Sequence, residues 1–238
     1  ITHEPDDRNR ISLTGYWGRD RFDRLVNTRT GGFSTRVEEV QNWGNLIGGV
    51  DYRRTWSDRL TQNIKVGYTG YQYEVGDSEE AERSNERLIS KLFYRSGVTE
   101  LSARTDLIAR LRPGLTLRGG VGAINRTFRT GDYEIILQDT RAGAEIDRDT
   151  TIGRPTLASL ETFAYVEGIA KLGAGLSLNA GLHLAGLDGG NWRLQPRLSV
   201  RQDFGESTSV KLGFAAMRQF LHLSVSGSLG LPNDVWVP

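Results

Sequence analysis

The connections between the candidate strands of this chain alternate, short then long. Four are tight turns: Ser57-Asp58-Arg59, Arg112-Pro113-Gly114, Gly173-Ala174-Gly175 and Gly205-Glu206-Ser207. Between them lie mostly long polar stretches, such as Asp20 to Asn42 and Gly131 to Gly153. An up-and-down antiparallel sheet produces such a pattern when one rim carries short turns and the other carries long loops. Barrels that cross a membrane with strands are built in that way.

Period-two alternation marks the strands themselves. Ile11, Leu13, Gly15 and Trp17 oppose Ser12, Thr14 and Tyr16. Leu46, Gly48, Val50 and Tyr52 follow the same rule. So do Ile64, Val66 and Tyr68, after which Tyr71 and Tyr73 break parity and suggest a bulge near Gly70. Leu101 to Leu111 alternates with Ser102 to Arg110, and Leu115 to Ala123 continues beyond the Pro113-Gly114 turn. The strand from about Thr156 to Leu172 has competing parities, because Phe163 and Tyr165 rival Ala164 and Val166. The clearest three carry Leu176–Leu184, Trp192–Val200 and Val210–Ala216. Reading Asn85–Arg112 as one strand bulged near Ser96-Gly97 keeps all four tight turns on one rim. The expectation is therefore an all-β, antiparallel up-and-down meander of about nine strands. Its first and last strands run the same way, so closure on itself would need a parallel pair. The sheet is expected to be open, a segment of a larger transmembrane β-barrel.

The two faces differ in kind. One carries Leu, Val, Ala, Trp and Phe; the other carries Arg, Lys, Asp, Ser, Asn and Gly. A soluble sandwich also alternates, with its apolar face in a core. Three features favour a membrane wall. Many strands reach about ten residues or more, as a tilted membrane strand requires. Trp17, Trp43, Trp56, Tyr71, Tyr73, Trp192 and Phe220 sit toward strand ends, as an interfacial girdle would. The polar face is rich in arginine, which suits a watery lumen. On this reading Leu178, Leu182, Leu194, Leu198, Val210, Leu212 and Phe214 share an outer, convex face. Arg193, Arg197, Arg201 and Lys211 share the concave one. The 238 residues carry a formal charge of only +1, so bulk charge gives no reason to invoke nucleic acid. Mean hydropathy is −0.42 and no apolar run approaches transmembrane-helix length, which is compatible with spanning strands. Without cysteine there are no disulfides and no thiolate metal sites. No signal peptide precedes Ile1, so the chain reads as mature or as a fragment.

The C-terminal run from Phe220 through Gly230-Leu231-Pro232-Asn233-Asp234-Val235-Trp236-Val237-Pro238 resembles a segment of TonB-dependent outer-membrane receptors of the Bacteroidetes type. Trp192 to Arg201 resembles the strand just upstream in that family. Leu176 to Leu182 and Trp43-Gly44-Asn45-Leu46 fit the same order. The resemblance implies an outer-membrane location and no enzymatic activity. It also implies uptake of a large scarce nutrient driven through the TonB complex. Outer-membrane lipid, a plug domain and an extracellular nutrient ligand are the partners it implies. Family members carry a plug and a TonB-contact segment before a barrel of ~22 strands. Residues 1–238 are accordingly expected to be a partial barrel without its plug. A passive porin or structural barrel is the alternative from a second class, and a soluble carbohydrate-binding β-sandwich that from a third.

Six polar-face arginines, Arg104, Arg110, Arg118, Arg193, Arg197 and Arg201, are the candidate lumen-facing site. They admit two readings: bidentate pairing with plug or cross-strand carboxylates, which is preferred, or a path for an anionic substrate. Leu231, Pro232, Asp234 and Trp236 form a candidate extracellular loop, either ligand-facing or packed on itself. His3, His183 and His222 are scattered and lack metal-ligand spacing; no cofactor is expected. Glu79, Glu80 and Glu82 read as a solvated loop rather than a calcium site. Gly119-Gly120-Val121-Gly122 lacks the strand-to-helix context of a phosphate loop, so crowded side chains across the sheet explain it better. Arg104 and Asp106 read as a cross-strand pair rather than catalytic groups. The identity of the ligand is not legible in the chain.

Overall fold

A computed structural model describes residues 1–84, 86–141, 145–153, 155–226 and 233–237. Among the described residues it contains thirteen strands and no α-helix. They are β1 (Thr2–Asp6), β2 (Asn9–Thr30), β3 (Phe33–Ser57), β4 (Leu60–Arg83), β5 (Glu86–Arg112), β6 (Leu115–Asp139) and β7 (Ile146–Gly153). The series continues with β8 (Leu157–Gly173), β9 (Leu176–Leu187), β10 (Gly190–Phe204), β11 (Thr208–Ala215), β12 (His222–Ser226) and β13 (Asn233–Val237). The first eleven form one antiparallel sheet in chain order, with β7 flanking the far end of β6. The β1 and β11 edges are not hydrogen-bonded to each other, so the sheet is open. β12 and β13 form a separate hairpin whose β13 lies against β5 and β6. The nine expected strands are β2–β6 and β8–β11; β1, β7 and the β12–β13 hairpin are the additions.

All four expected tight turns fall on one rim. The opposite rim departs from expectation. Asp20 to Asn42 is not a loop but the continuation of β2 and β3, paired without interruption to Thr30↔Phe33. Gly31 and Gly32, at φ +58° and +77°, close that hairpin in a turn requiring two left-handed residues. Most of Gly131 to Gly153 is likewise strand, with β6 and β7 paired from Asp132↔Gly153 to Asp139↔Ile146. The alternation fades in these stretches because both faces meet polar surroundings, so the pattern disappears while the pairing continues.

The bulge expected near Gly70 is absent. β3, β4 and β5 run through that position in unbroken register, Leu46↔Gly70 and Gly70↔Thr99. The sequence breaks parity there because the chemistry of the faces inverts. On the tight-turn side of this level, Leu46, Tyr68 and Leu101 share one face while Ile47, Thr69 and Glu100 share the other. Beyond it, the formerly apolar face carries Asn42, Glu74 and Arg95, and the reverse face carries Trp43, Tyr73, Val75 and Tyr94. Those aromatics make a small core with Tyr71, Leu92 and Tyr133; Tyr94 is 1% exposed. Trp43, Tyr71 and Tyr73 therefore do not belong to a girdle on the apolar face. Phe220 lies outside the strands and is buried, so it does not belong to one either. β5 is a single strand, as expected. The irregularity near Ser96-Gly97 places its extra residue on β6, at Thr130-Gly131.

Register puts all seven expected apolar residues from Leu178 to Phe214 on one face, and Arg193, Arg197, Arg201 and Lys211 on the other. Among the described residues, no sheet of comparable size covers the apolar set. Leu194 is 60% exposed, Phe214 63% and Leu212 71%. A sandwich would bury these side chains, so that reading is not favoured.

Candidate functional site on the polar face

The polar face of the central strands gathers charged and aromatic groups from five strands. β5 presents Glu100, Ser102, Arg104 and Asp106 at every second position. β6 presents Gly120 and Gly122 opposite Asp106 and Arg104, then Ile124 and Arg126. β8 presents Glu161, Phe163 and Tyr165; β9 presents His183; β10 presents Gln195 and Arg197. Direct cross-strand neighbours point the same way, so these groups converge without any bend in the backbone.

The two β6 glycines make the convergence possible. A Cβ on Gly120 would stand 2.7 Å from Asp106 Oδ1 and from a ring carbon of Tyr165. One on Gly122 would stand 2.5 Å from the Phe163 ring. The bare backbone of β6 is thus a trough that β8 side chains cross to reach β5. Across it the Tyr165 hydroxyl donates to Asp106 Oδ1 at 2.7 Å, while Arg104 Nε lies 3.2 Å from Asp106 Oδ2. Arg104 and Asp106 pair along one strand, not across two as expected, and the cross-sheet partner of Asp106 is Tyr165.

His183 stacks on this group, its ring 5.4 Å from Phe163 and 6.3 Å from Tyr165. Its Nδ1 is buried and has no hydrogen-bond partner among the described residues. Further along, Arg126 donates through Nε to Glu100 Oε2 at 2.8 Å and through Nη1 to Glu161 Oε2 at 2.7 Å. With its side chain 8% exposed, Arg126 clamps β5 and β8 across β6. A recess of about 390 Å³ opens beside the aromatic group, lined by Arg104, Phe163, Tyr165, Glu167, His183 and Arg197. Arg104 is already held by Asp106, whereas Arg197 makes no ion pair with a described residue. The chemistry on offer is recognition of a carboxylate or another anion beside a flat aromatic surface.

The six expected arginines all lie on this face, but only Arg104 and Arg197 line the recess. Arg110 donates to the Asp58 carbonyl at 3.2 Å near the tight-turn rim, and Arg201 pairs with Asp203 at 2.7 Å. Arg118 sits opposite Ile108 and Arg193 opposite Ala185, both away from the recess. Leu231 and Pro232 lie outside the described residues. Asp234 and Trp236 fall on β13, paired with Val225 and Leu223. Counting arginines missed Arg126, Glu100, Glu161, Phe163, Tyr165 and His183. A signal was present: two strand glycines, Gly120 and Gly122, on the same parity as Arg118 mark where neighbouring side chains must cross.

No family model matches the chain, and no curated protein does. Among solved structures, the siderophore receptor PirA from Pseudomonas aeruginosa aligns at 17% identity and a TM-score of 0.37, over 94% of this chain and 47% of that one. PirA from Acinetobacter baumannii aligns at 12% identity and a TM-score of 0.40, over 90% and 41%. The outer membrane transporter YddB from Escherichia coli aligns at 10% identity and a TM-score of 0.37, over 84% and 38%. The chain spans less than half the length of each of these structures.

Proposed function

We propose that this chain is part of the wall of a β-barrel receptor in the outer membrane of a Gram-negative bacterium, one that imports a large scarce nutrient by a TonB-dependent route. One observation carries the membrane part of the reading. An apolar band lies exposed on one face, the reverse of that band is charged, and a row of ion pairs bounds it at one end. On β5 the band runs from Leu101 to Leu111. Roughly ten steps of ~3.4 Å at a tilt near 45° project to ~24 Å, close to the apolar height of outer-membrane barrels. Such a sheet cannot stand alone in lipid, because the β1 and β11 edges would leave backbone groups unpaired. Further strands must complete it.

The receptor part rests on the resemblance of the Phe220–Pro238 segment and of Trp192–Arg201 to receptors of the Bacteroidetes type. In that reading the polar face lines the lumen, and Arg104 and Arg197 face a plug domain. The tight turns are periplasmic, and Asp234 and Trp236 lie on the extracellular side. Two measurements test it. Cells producing the protein are fractionated, and the expected result is an outer-membrane species with heat-modifiable gel migration; a soluble periplasmic species would overturn the membrane reading. Uptake of ferric siderophores, oligosaccharides and cobalamin is then compared with and without TonB. Loss of uptake of one ligand class on removing either TonB or this protein is expected. Uptake that persists without TonB would favour the passive porin.

A further inference from the structure

We propose that the apolar face carries, at its far boundary, a binding site for the phosphorylated sugar headgroup of an outer-leaflet glycolipid. This inference rests on the membrane reading above and assigns a ligand to the opposite side of the wall from the candidate lumen site.

One cross-strand row defines the site. Arg19 stands opposite Gly44, Gly44 opposite Gln72, Gln72 opposite Gly97, and Gly97 opposite Arg129. The five strands put the backbone positions of the two arginines about 19 Å apart at ~4.8 Å per strand, with two glycines and one amide between them. The glycines lower the floor of the row, and a groove of about 400 Å³ opens along it. Its tight-turn side is walled by Trp17, Leu46 and Tyr68, which belong to the apolar band. Its far side is walled by Glu74 and Arg95. Indole and phenol rings at that depth mark the level where acyl chains give way to headgroups.

The charges of the far wall and of the row behave differently. Arg95 is held between two carboxylates: its Nε donates to Glu74 at 2.6 Å and its Nη1 to Glu134 at 2.7 Å, while Asn42 donates to the other Glu74 oxygen at 2.9 Å. That network is a rigid rim. Arg19 is exposed and makes no hydrogen bond or ion pair with a described residue. Arg129 makes a loose ion pair with Asp132, at 3.9 Å, and its side chain is 58% exposed. The two ends of the groove therefore present exposed guanidiniums that no short hydrogen bond holds, Arg19 acting on Glu74 only through space and Arg129 only loosely paired with Asp132. A guanidinium matches a phosphate in charge and in bidentate geometry. A headgroup with two separated phosphates, its acyl chains running down over Leu46, Val50 and Val66, satisfies both ends and the apolar wall together. The site lies on the rim opposite the tight turns, which the membrane reading places at the outer leaflet.

The test uses the protein extracted from outer membranes in mild detergent. It is mixed with micelles holding lipid A with both phosphates, or the same lipid dephosphorylated, and lipid retained after washing is counted. Retention of the phosphorylated form is expected to exceed the other by about tenfold, as two charge-assisted contacts allow. Arg19→Gln with Arg129→Gln should abolish that preference, and Arg19→Lys with Arg129→Lys, which keeps the charge but not the bidentate fork, should restore only part of it. Arg193→Gln with Arg201→Gln, on the opposite face, should leave it intact. Heat-modifiable migration confirms that each variant is folded. Equal retention of the two lipids, or an unchanged preference in the Gln pair, would overturn the site. Displacement of the lipid by millimolar inorganic phosphate would reduce it to an anion site without lipid recognition. A protein found in the outer membrane that fails these tests sinks this inference alone; a protein not found there sinks the membrane reading first.

Discussion

At the scale of single residues, the polar face depends on what is missing from β6. Gly120 and Gly122 let Tyr165 and Phe163 lie across the strand, and any Cβ at Gly120 would meet backbone as well as side chain, with Thr105 O at 2.7 Å. Gly120→Val should displace Tyr165, break its bond to Asp106 and cost about 1–3 kcal/mol through overpacking. Tyr165→Phe keeps the ring and removes only the hydroxyl, for about 1–2 kcal/mol, because Asp106 retains Arg104. Urea unfolding of the protein reconstituted in lipid separates the two, and Phe should be the milder change. A different residue reports on the far rim. Arg141 donates to Asp139 from its side chain and its backbone N–H, which holds that carboxyl down to about 2 from an ordinary 3.8. A carboxyl depressed in the folded state contributes stability above its ordinary value and loses it as pH falls toward the depressed one. The Asp139–Arg141 contact should therefore persist at pH 4 and fade as pH approaches 2. Carboxyl NMR titration checks this, and Arg141→Ala should return the midpoint toward 3.8.

At the scale of elements, two straps on opposite faces tie the long strands together. Arg126 binds β5 and β8 across β6 on the polar face. Arg95, Glu74 and Glu134 link β4, β5 and β6 on the other. The first is the more buried, so Arg126→Met should be costly: it strands two carboxylates in a site that is largely closed. About 3–5 kcal/mol is the scale for breaking a buried pair, and the partial exposure of Glu100 pulls the expectation toward the lower end. Restoring much of the loss with Glu100→Gln and Glu161→Gln in the same chain would show that the stranded charges are the cause. Strands were legible wherever one face meets apolar surroundings, as Leu178 and Leu182 on β9 and Leu194 and Leu198 on β10 show. They were illegible between Asp20 and Asn42, where both faces are polar and only the Gly31-Gly32 turn betrays the hairpin. Phe163 and Tyr165 defied parity for the converse reason: an aromatic cluster occupies the polar face. The Arg126 clamp could not be read from spacing, since its partners lie 26 and 35 residues away. The groove between Arg19 and Arg129 likewise exists only after five strands are set in register.

At the scale of the whole molecule, the apolar face is the feature on which the membrane reading stands, and it can be challenged one residue at a time. Leu182 sits mid-strand in β9, flanked by Val166 on β8 and Pro196 on β10, and is 47% exposed. If that exposure faces lipid, Leu182→Arg moves a guanidinium into hydrocarbon. The expected cost is about 2–4 kcal/mol near the midplane. The same charge near the end of the band should cost about 0–1 kcal/mol, and Leu46→Arg, beside the row of Arg19 and Gly44, is the variant at that depth. In water the ranking has no reason to depend on depth, because an exposed leucine replaced by arginine is close to neutral wherever it lies. The pair of variants therefore discriminates between a wall in lipid and a wall in water. Folding of the complete barrel that contains this wall into phosphatidylcholine vesicles, titrated with urea, supplies the free-energy differences. A large penalty at Leu182 with a small one at Leu46 fixes the direction of the membrane normal along the strands, with the Gly31-Gly32 turn on the side nearer Leu46. Two small and equal penalties would remove the lipid from the account, and with it the reason for two open sheet edges to seek further strands.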